Sequence, residues 1–408
     1  MSLTGIQYQS VSIIGIDGCY HLCIALLPVL CLLNIPFVDI SLGTVMLLLF
    51  VPYLLIRIFI ESTSSRPRVS YFFFFLFYFY MILRADGSAT HIVMCVAAFI
   101  HLLGIACGTI ETKKLRKYIE IYALINTGLI ILQVLLYYIL HYKLQILPQA
   151  LFHSDFRDSY VFRNEAGLYR PSALFLEPSH FSQYCCFALI SVLFPRDSSV
   201  NLKKAAFIAL GCVLSTSGMG IFMTFAILCW YFLFNRAKKG TKLFKIMIWS
   251  PLILIGLLIL LQIPFVQTAI QRVFSNVDGY NAVRGRTGQW GSAIAPMSGV
   301  TLWFGYGSSA KYPYYLTGLA DTIYEFGITG ALLELACFLY LMLRRFDRYV
   351  WCCSLVFLAL FCVAHLTSFY SQVFYLGLVT AESLSLKRRT ETLNCLGGEI
   401  IAWFDQQL

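Results

Sequence analysis

The chain has 408 residues, of which 59% are apolar and only 12% are charged, and its mean hydropathy is +0.76. These values exclude an ordinary soluble domain and predict an all-α polytopic membrane protein, since about 30 Å of hydrocarbon needs roughly 20 apolar residues per helical span. The net charge of +10 could attract nucleic acid or anionic lipid, but the positions of the basic residues favour a membrane topology and no nucleic-acid partner.

Twelve apolar stretches follow one another along the chain and are predicted to be the transmembrane helices of one integral membrane domain, residues 1–408. The first is interpreted as a span rather than a signal peptide, because residues 1–20 contain no Lys or Arg. The motif STSGMG at 215–220 predicts a tight external turn between two short spans. The spans lie near 15–34, 38–60, 69–84, 89–108, 118–141, 179–194, 203–216, 219–234, 246–262, 319–343, 349–367 and 371–386.

The basic residues predict the orientation of these spans. If both termini are cytoplasmic, every cytoplasmic connection is basic and together they hold 20 of the 30 Lys and Arg residues, as the positive-inside rule expects. These connections are short, which leaves no room for a cytoplasmic nucleotide-binding domain. The basic segments are 66–68, 113–117, 196–204, 236–245, 344–348 and 387–389.

Two long loops, 142–178 and 263–318, fall on the external side in this topology and are expected to fold as a cap. Neither contains a cysteine, so a disulfide framework is not expected there. Six arginines cluster in the loops, which indicates an anionic partner, because the planar guanidinium binds phosphate in a bidentate manner. The alternative is that they pair with loop carboxylates and hold the two loops together. The six are Arg157, Arg163, Arg170, Arg272, Arg284 and Arg286.

The stretch YRPSALFLEPSHF at 169–181 places Arg170 and Glu177 directly before a predicted span. Pro171 and Pro178 cannot both lie within one regular helix, and each favours an extended conformation for the residue before it. We therefore expect a rigid entry to the span that directs both charged side chains at the membrane surface. A simple ion pair between Arg170 and Glu177 is the alternative.

A second polar constellation, RGRTGQWGSAIAPMSGVTLWFGYG, covers 284–307. The glycines around Tyr306 allow backbone conformations that other residues rarely adopt. Trp290 is a candidate for the site, but aromatic residues such as Trp290 and Trp303 also form the belt at a membrane surface.

These motifs resemble those of the O-antigen polymerase (Wzy) family, within the superfamily that also contains the O-antigen ligases. The matching segments are RPSALFLEPS at 170–179, LSTSGMG at 214–220, Arg286 with Trp290, FGYG at 304–307 and EFGITGALLEL at 325–335. Ala173 departs from the pattern, since a glycine is common there. Leu316 and Thr317 occupy the region where the ligases have a histidine, and the Arg-x10-Gly repeat of some polymerases is missing.

The resemblance implies an enzyme that transfers a growing glycan from undecaprenyl diphosphate to a lipid-linked repeat unit. The reaction would take place at the outer face of the bacterial cytoplasmic membrane. Its partners would be undecaprenyl-diphosphate-linked oligosaccharide and membrane lipids, and a chain-length regulator protein is a further candidate. The alternatives are a lipid-linked oligosaccharide flippase, an O-antigen ligase, and a structural component without activity.

The residues suggest how this chemistry would be divided. No Asp-x-Asp pair occurs in the external loops, so we expect neither a metal nor another cofactor. Arg170, Arg284 and Arg286 are assigned to the diphosphate. Glu177 is the first candidate for the base and His180 the second, followed by His153. The further site candidates are Arg163, Trp290, Tyr306 and Asp321. Of these, Asp321 could instead cap the tenth span. Glu334 is expected to face the bundle interior, and the roles of Glu334 and His365 stay open.

Overall fold

The computed structural model describes most of the chain, and every regular element in the described part is an α-helix. One isolated antiparallel bridge joins Asn34 to Ser41 in the connection between the first two helices. The described residues are 11–35, 40–62, 69–147, 169–195, 199–234, 287–310, 312–314, 316–344, 347–364 and 369–381, with isolated positions at 151 and between 255 and 271.

Eleven of the thirteen described helices occur where the apolar stretches predict them, while α9 and α10 lie within the predicted loop 263–318. In chain order they are α1 (Val11–Leu30), α2 (Leu42–Ser62), α3 (Val69–Leu83), α4 (Ala89–Cys107), α5 (Thr112–Leu140), α6 (Pro178–Leu193), α7 (Leu202–Leu214), α8 (Gly218–Phe234), α9 (Trp290–Ile294), α10 (Val300–Phe304), α11 (Gly318–Arg344) and α12 (Arg348–Val363). A further helix, α13, covers 369–381.

The apolar helices identify a membrane protein. Four of them are long and apolar enough to cross a bilayer, namely Leu42–Ile60, Ala89–Cys107, Thr112–Leu140 and Gly318–Leu343. Shorter apolar helices cover Gly15–Leu30, Phe72–Leu83, Gly218–Phe232 and Arg348–Val363. Most of the predicted span at 246–262 lies outside the described residues, and the count of twelve spans stays a prediction.

Helix α6 lies at the centre of the bundle. Every residue of α6 except His180 is buried, because α5, α7, α8 and α12 pack around it. On its other side α13 connects α6 to α3. The Phe374 ring of α13 stacks on Tyr184 of α6, with 5.7 Å between centroids, and Gln372 of α13 accepts a hydrogen bond of 3.0 Å from Tyr78 of α3.

Arg116 holds the far end of α6. The sequence places this residue in a solvent-facing basic segment, but its side chain is only 8% exposed. Its Nη2 donates to the carbonyl oxygens of Ser191 and Phe194, both at 2.8 Å, and its Cζ lies 4.3 Å from the centroid of the Tyr349 ring. These carbonyls belong to the last turn of α6, where a helix lacks internal donors and favours a cation.

Two local predictions have different outcomes. The turn after Leu214 is confirmed, since α7 ends there and α8 begins at Gly218, with Thr216 at a φ of 56° between them. The helix predicted at 319–343 is present as Gly318–Leu343, but the pattern did not predict its break, since Gly327 inside α11 has φ 68° and ψ −176°. A hydropathy pattern does not respond to a single non-helical residue within an apolar run.

Candidate functional site

Two buried amides hold the segment before α6 against α5. Gln133 Oε1 accepts a hydrogen bond from the N–H of Ala173 at 2.9 Å, and Asn126 Oδ1 accepts one from the N–H of Leu174 at 3.1 Å. Asn126 and Gln133 are seven residues apart, so they share one face of α5. They are 0% and 4% exposed. The backbone of the segment is therefore bonded to a transmembrane helix instead of to water.

Aromatic contacts fix the same segment from both sides. Tyr169 stacks on Tyr137 of α5 with 4.3 Å between ring centroids. Phe175 lies against Tyr122 of α5 and Tyr184 of α6, at 5.9 and 5.5 Å. Burial raises the pKa of Tyr169 to about 12, so its hydroxyl keeps its proton at neutral pH and is not a base there.

Glu177 and His180 lie at the first turn of α6, Arg170 lies near the start of the packed segment that precedes it, and all three side chains are half-buried. Pro178 is the first residue of the helix and Glu177 is its N-cap. The Glu177 carboxylate makes no hydrogen bond that caps the helix, and its Oε2 accepts a short hydrogen bond of 2.6 Å from Ser179 Oγ. The positive end of the helix dipole stabilises the negative charge at this position. Glu177 and His180 are three residues apart and lie on the same helix face.

The turn at 215–217 packs against the same end of α6. Ser182 of α6 lies 3.1 Å from Ser215, Oγ to Oγ, and Ser217 Oγ accepts a hydrogen bond of 3.2 Å from the N–H of Gly220. A Cβ on Gly220 would overlap the Ser182 hydroxyl, so this close approach requires a glycine. The segments 170–179 and 214–220 are therefore neighbours in space.

The break in α11 is paired with the loop that follows α10. The helical hydrogen bonds of α11 stop near Gly327 and leave carbonyl oxygens without internal donors. The N–H of Tyr306 donates to the Tyr324 carbonyl at 2.9 Å, and the N–H of Gly307 donates to the Glu325 carbonyl at 2.8 Å. The loop thus replaces the hydrogen bonds that the break removes, which makes an interrupted helix tolerable inside a membrane.

Two glycines and one arginine fix this junction. Gly305 and Gly327 both have left-handed φ angles, 73° and 68°, and a Cβ on either would overlap a carbonyl of the opposite segment. Arg84, just after α3, donates from Nη2 to the Gly305 carbonyl at 2.9 Å. The N–H of Ser308 in turn donates to the Arg84 carbonyl at 3.0 Å. The end of α3 is therefore locked to the FGYG segment.

Glu334 faces the bundle interior, as predicted, and is 1% exposed. Its Oε1 accepts a hydrogen bond of 3.4 Å from Gln372 Nε2 of α13. Tyr78 of α3 donates to the same Gln372. A carboxyl group inside a membrane bundle is costly and usually belongs to a functional site.

The remaining predicted residues are distributed as follows. Trp290 begins α9 and packs on a small apolar cluster made by Ala293, Leu316 and Ala320, which is separate from the main core. Asp321 is the fourth residue of α11 and not its N-cap, although an acidic residue in the first turn still complements the helix dipole. Four predicted residues, Arg163, Arg284, Arg286 and His153, lie outside the described residues, as does His365. Among the residues with described positions, no three His, Cys, Asp or Glu side chains are grouped as metal ligands.

Sequence reasoning missed Asn126, Gln133 and Arg84. The two amides were visible as polar residues seven apart within an apolar span, a spacing that indicates one shared partner. Arg84 follows α3 directly, and nothing in its local sequence distinguishes it from an ordinary interfacial arginine.

Comparison of the chain with protein-family models and with curated protein sequences gave no match. The resemblance to the polymerases therefore depends on short motifs, and the function is inferred from the geometry of the site.

Proposed function

We propose that this protein is a polysaccharide polymerase of the O-antigen type, acting at the outer face of the bacterial cytoplasmic membrane. It transfers a growing glycan from undecaprenyl diphosphate to the sugar hydroxyl of a second lipid-linked repeat unit. The proposal includes twelve spans, cytoplasmic termini and an external cap formed by 142–178 and 263–318.

One observation carries the proposal: the segment 169–178, which contains Arg170 and Glu177, is bonded to α5 and leads directly into α6, where His180 lies in the first turn. A cation and two groups able to accept a proton are what this transfer requires. The half-burial of all three supports a site that substrate can reach and water only partly fills.

The reaction assigns a role to each group. The acceptor hydroxyl oxygen attacks the anomeric carbon, and the bond between that carbon and the diphosphate oxygen breaks. The diphosphate leaves with the electron pair, and Arg170 stabilises its charge, joined by Arg284 and Arg286. Glu177 takes the proton of the acceptor hydroxyl, with His180 as the second candidate for this step. One such cationic donor contributes about 3 kcal/mol to the transition state.

Reconstituted protein with extracted lipid-linked repeat units tests the proposal. Wild-type protein should form ladders of glycan chains, while Glu177→Gln should bind substrate but form none, because an amide cannot accept the proton. Arg170→Gln should weaken substrate binding. Glu120→Gln is the matched control, since Glu120 pairs with Lys204 at 3.1 Å and lies nearer the start of α5 than Asn126 and Gln133, which hold the segment.

Two outcomes would contradict these assignments. Near-normal ladders from Glu177→Gln exclude Glu177 as the base. If Glu177→Gln weakens binding as Arg170→Gln does, and the double variant is little worse than either, Glu177 only holds Arg170.

A flippase for lipid-linked oligosaccharide is the second candidate, and the break in α11 favours it. Interrupted helices and buried carboxyl groups such as Glu334 occur on the substrate and ion pathways of transporters. Proteoliposomes loaded with fluorescent lipid-linked oligosaccharide distinguish the two functions. Translocation without ladders, lost in Glu334→Gln, supports the transporter; ladders without translocation support the polymerase.

A further inference from the structure

A row of four tyrosines lies beside the broken helix. Tyr306 contacts Tyr324 with 4.9 Å between ring centroids, Tyr324 contacts Tyr312 at 5.3 Å, and Tyr312 contacts Tyr314 at 5.8 Å. The interplanar angles of 48°, 67° and 64° turn successive rings to different directions. These four residues are called the tyrosine row below.

The row is anchored at its centre and open at its ends. Tyr312 and Tyr324 pack on the small apolar cluster next to α9, and the Tyr312 hydroxyl donates to Ser292 Oγ at 2.9 Å. Tyr314 and Tyr306, at the ends, are 62% and 39% exposed. Packing of the cluster explains the two inner rings but leaves much of the outer rings uncovered.

The neighbouring helix α10 indicates where the row lies relative to the membrane. Val300, Trp303 and Phe304 are spaced as one face of a helix and are 74%, 53% and 44% exposed. An exposed apolar stripe with a tryptophan is typical of a helix in the membrane interface. Tyr306 follows α10 after one glycine, so we expect the tyrosine row at the height of the lipid head groups.

We infer that the tyrosine row binds the oligosaccharide of the lipid-linked substrate, an inference that rests on the proposed function. In a lipid-linked oligosaccharide, the part that lies at head-group height next to the diphosphate consists of the first sugars of the glycan. The C–H groups of a sugar ring carry partial positive charge and pack on the negative face of an aromatic ring, while tyrosine hydroxyls bond sugar hydroxyls. Tyrosine also presents a rigid contact area, which orders with little loss of entropy.

The junction around Gly327 fixes the first two rings of the row. Tyr306 and Tyr324 are joined by the hydrogen bond from the Tyr306 N–H to the Tyr324 carbonyl, and Arg84 donates to the carbonyl of Gly305, directly before Tyr306. The first rings of the row are thus set by backbone contacts, so sugar binds to a preformed surface.

The test compares two probes on protein in nanodiscs: lipid-linked oligosaccharide extracted from membranes that contain the protein, and undecaprenyl diphosphate without sugar. Wild-type protein should prefer the sugar-bearing lipid. Tyr314→Ala and Tyr312→Ala should each lower this preference about fivefold, as expected for loss of one aromatic contact, while Tyr314→Phe keeps most of it. Trp303→Ala, on the membrane stripe, is the control and should leave the ratio of the two affinities unchanged.

Two results would overturn the inference. Wild-type protein could bind the two lipids with equal affinity, or Tyr314→Ala could leave the ratio of the two affinities unchanged. Tyr314 is exposed, so its variant keeps the test valid if Tyr312→Ala fails to fold. If both tyrosine variants weaken both lipids equally, the row contacts the bilayer or the lipid chain instead. The ladder assay is independent of this binding assay. If wild-type protein forms ladders but the tyrosine variants keep the preference for the sugar-bearing lipid, only the tyrosine row is refuted. If the tyrosine variants lose the preference but wild-type protein forms no ladders, only the polymerase function is refuted.

Discussion

Replacement of Gln133 by leucine is the most direct test of how the site is positioned. The variant keeps the size of the side chain but removes two hydrogen bonds, one from the Ala173 N–H at 2.9 Å and one to the Leu144 carbonyl at 2.9 Å. Ala173 is 4% exposed, so its N–H stays unsatisfied, at a cost of about 1–3 kcal/mol. Leu144 is half-buried, and loss of its bond adds about 1 kcal/mol. The expected loss of stability is about 2–4 kcal/mol.

Thermal unfolding in detergent and amide hydrogen exchange measure this effect. The Tm of Gln133→Leu should fall, and the Ala173 amide should exchange faster while the amides in the middle of α6 stay protected. Leu132→Ala is the control on the same turn of α5, because Leu132 is 43% exposed and should change the Tm little. Unchanged protection of the Ala173 amide in Gln133→Leu would refute the role of the buried amides.

Three further variants test other contacts. Ala173→Gly should raise the free energy of unfolding by about 0.5–1 kcal/mol, because Ala173 has a φ of 52° and only glycine adopts this conformation without strain. A lower Tm for this variant would show that alanine is not strained here. Arg116→Ala should lower the free energy of unfolding by about 2–3 kcal/mol, since it leaves two carbonyls at the end of α6 without a donor. Replacement of the exposed Lys117 by alanine should change it by no more than about 0.5 kcal/mol. Equal effects of the two variants would refute the role of Arg116 at the end of α6. Glu334→Gln keeps the side-chain shape and should raise stability by about 1 kcal/mol, because it removes a chargeable group from the bundle interior; a clear loss in thermal unfolding would contradict this.

Apolar runs and their polar breaks placed the long helices of the described residues, because burial in hydrocarbon demands long apolar stretches, but they did not predict the short helices α9 and α10. Local chemistry also predicted the start of α6 to within one residue, 179 against the observed Pro178, and the turn after Leu214, where the backbone preference is set by one or two residues. The sequence could not show which partners Asn126 and Gln133 choose, since both partners come from a segment about 40 residues away. The break at Gly327 was missed for the same reason: it depends on donors from the FGYG loop.

The departure at Ala173 has a physical reading that the motif alone did not provide. A glycine is common at this position in the polymerases that the chain resembles, and the backbone here has the left-handed φ that favours glycine. The chain keeps the conformation with alanine because the amide of Gln133 and the packing of Phe175 hold the segment in place. The presence of alanine in place of glycine at position 173 is therefore compatible with the left-handed backbone conformation that a glycine would adopt there.

The motifs that carry the resemblance are scattered over 170–335, yet four of them meet in two places. The segments 170–179 and 214–220 meet through Ser182 and Ser215 at one end of α6, and FGYG meets EFGITG through backbone hydrogen bonds at the break in α11. Helix α13 lies between the two, with Phe374 on Tyr184 and Gln372 bonded to Glu334. Stability alone does not require unusual backbone at two junctions of one bundle, since unbroken helices would satisfy the same hydrogen bonds. The proposed reaction between two lipid-linked substrates would need two rigid sites within one membrane protein, and we propose that these two pairs of motifs form them.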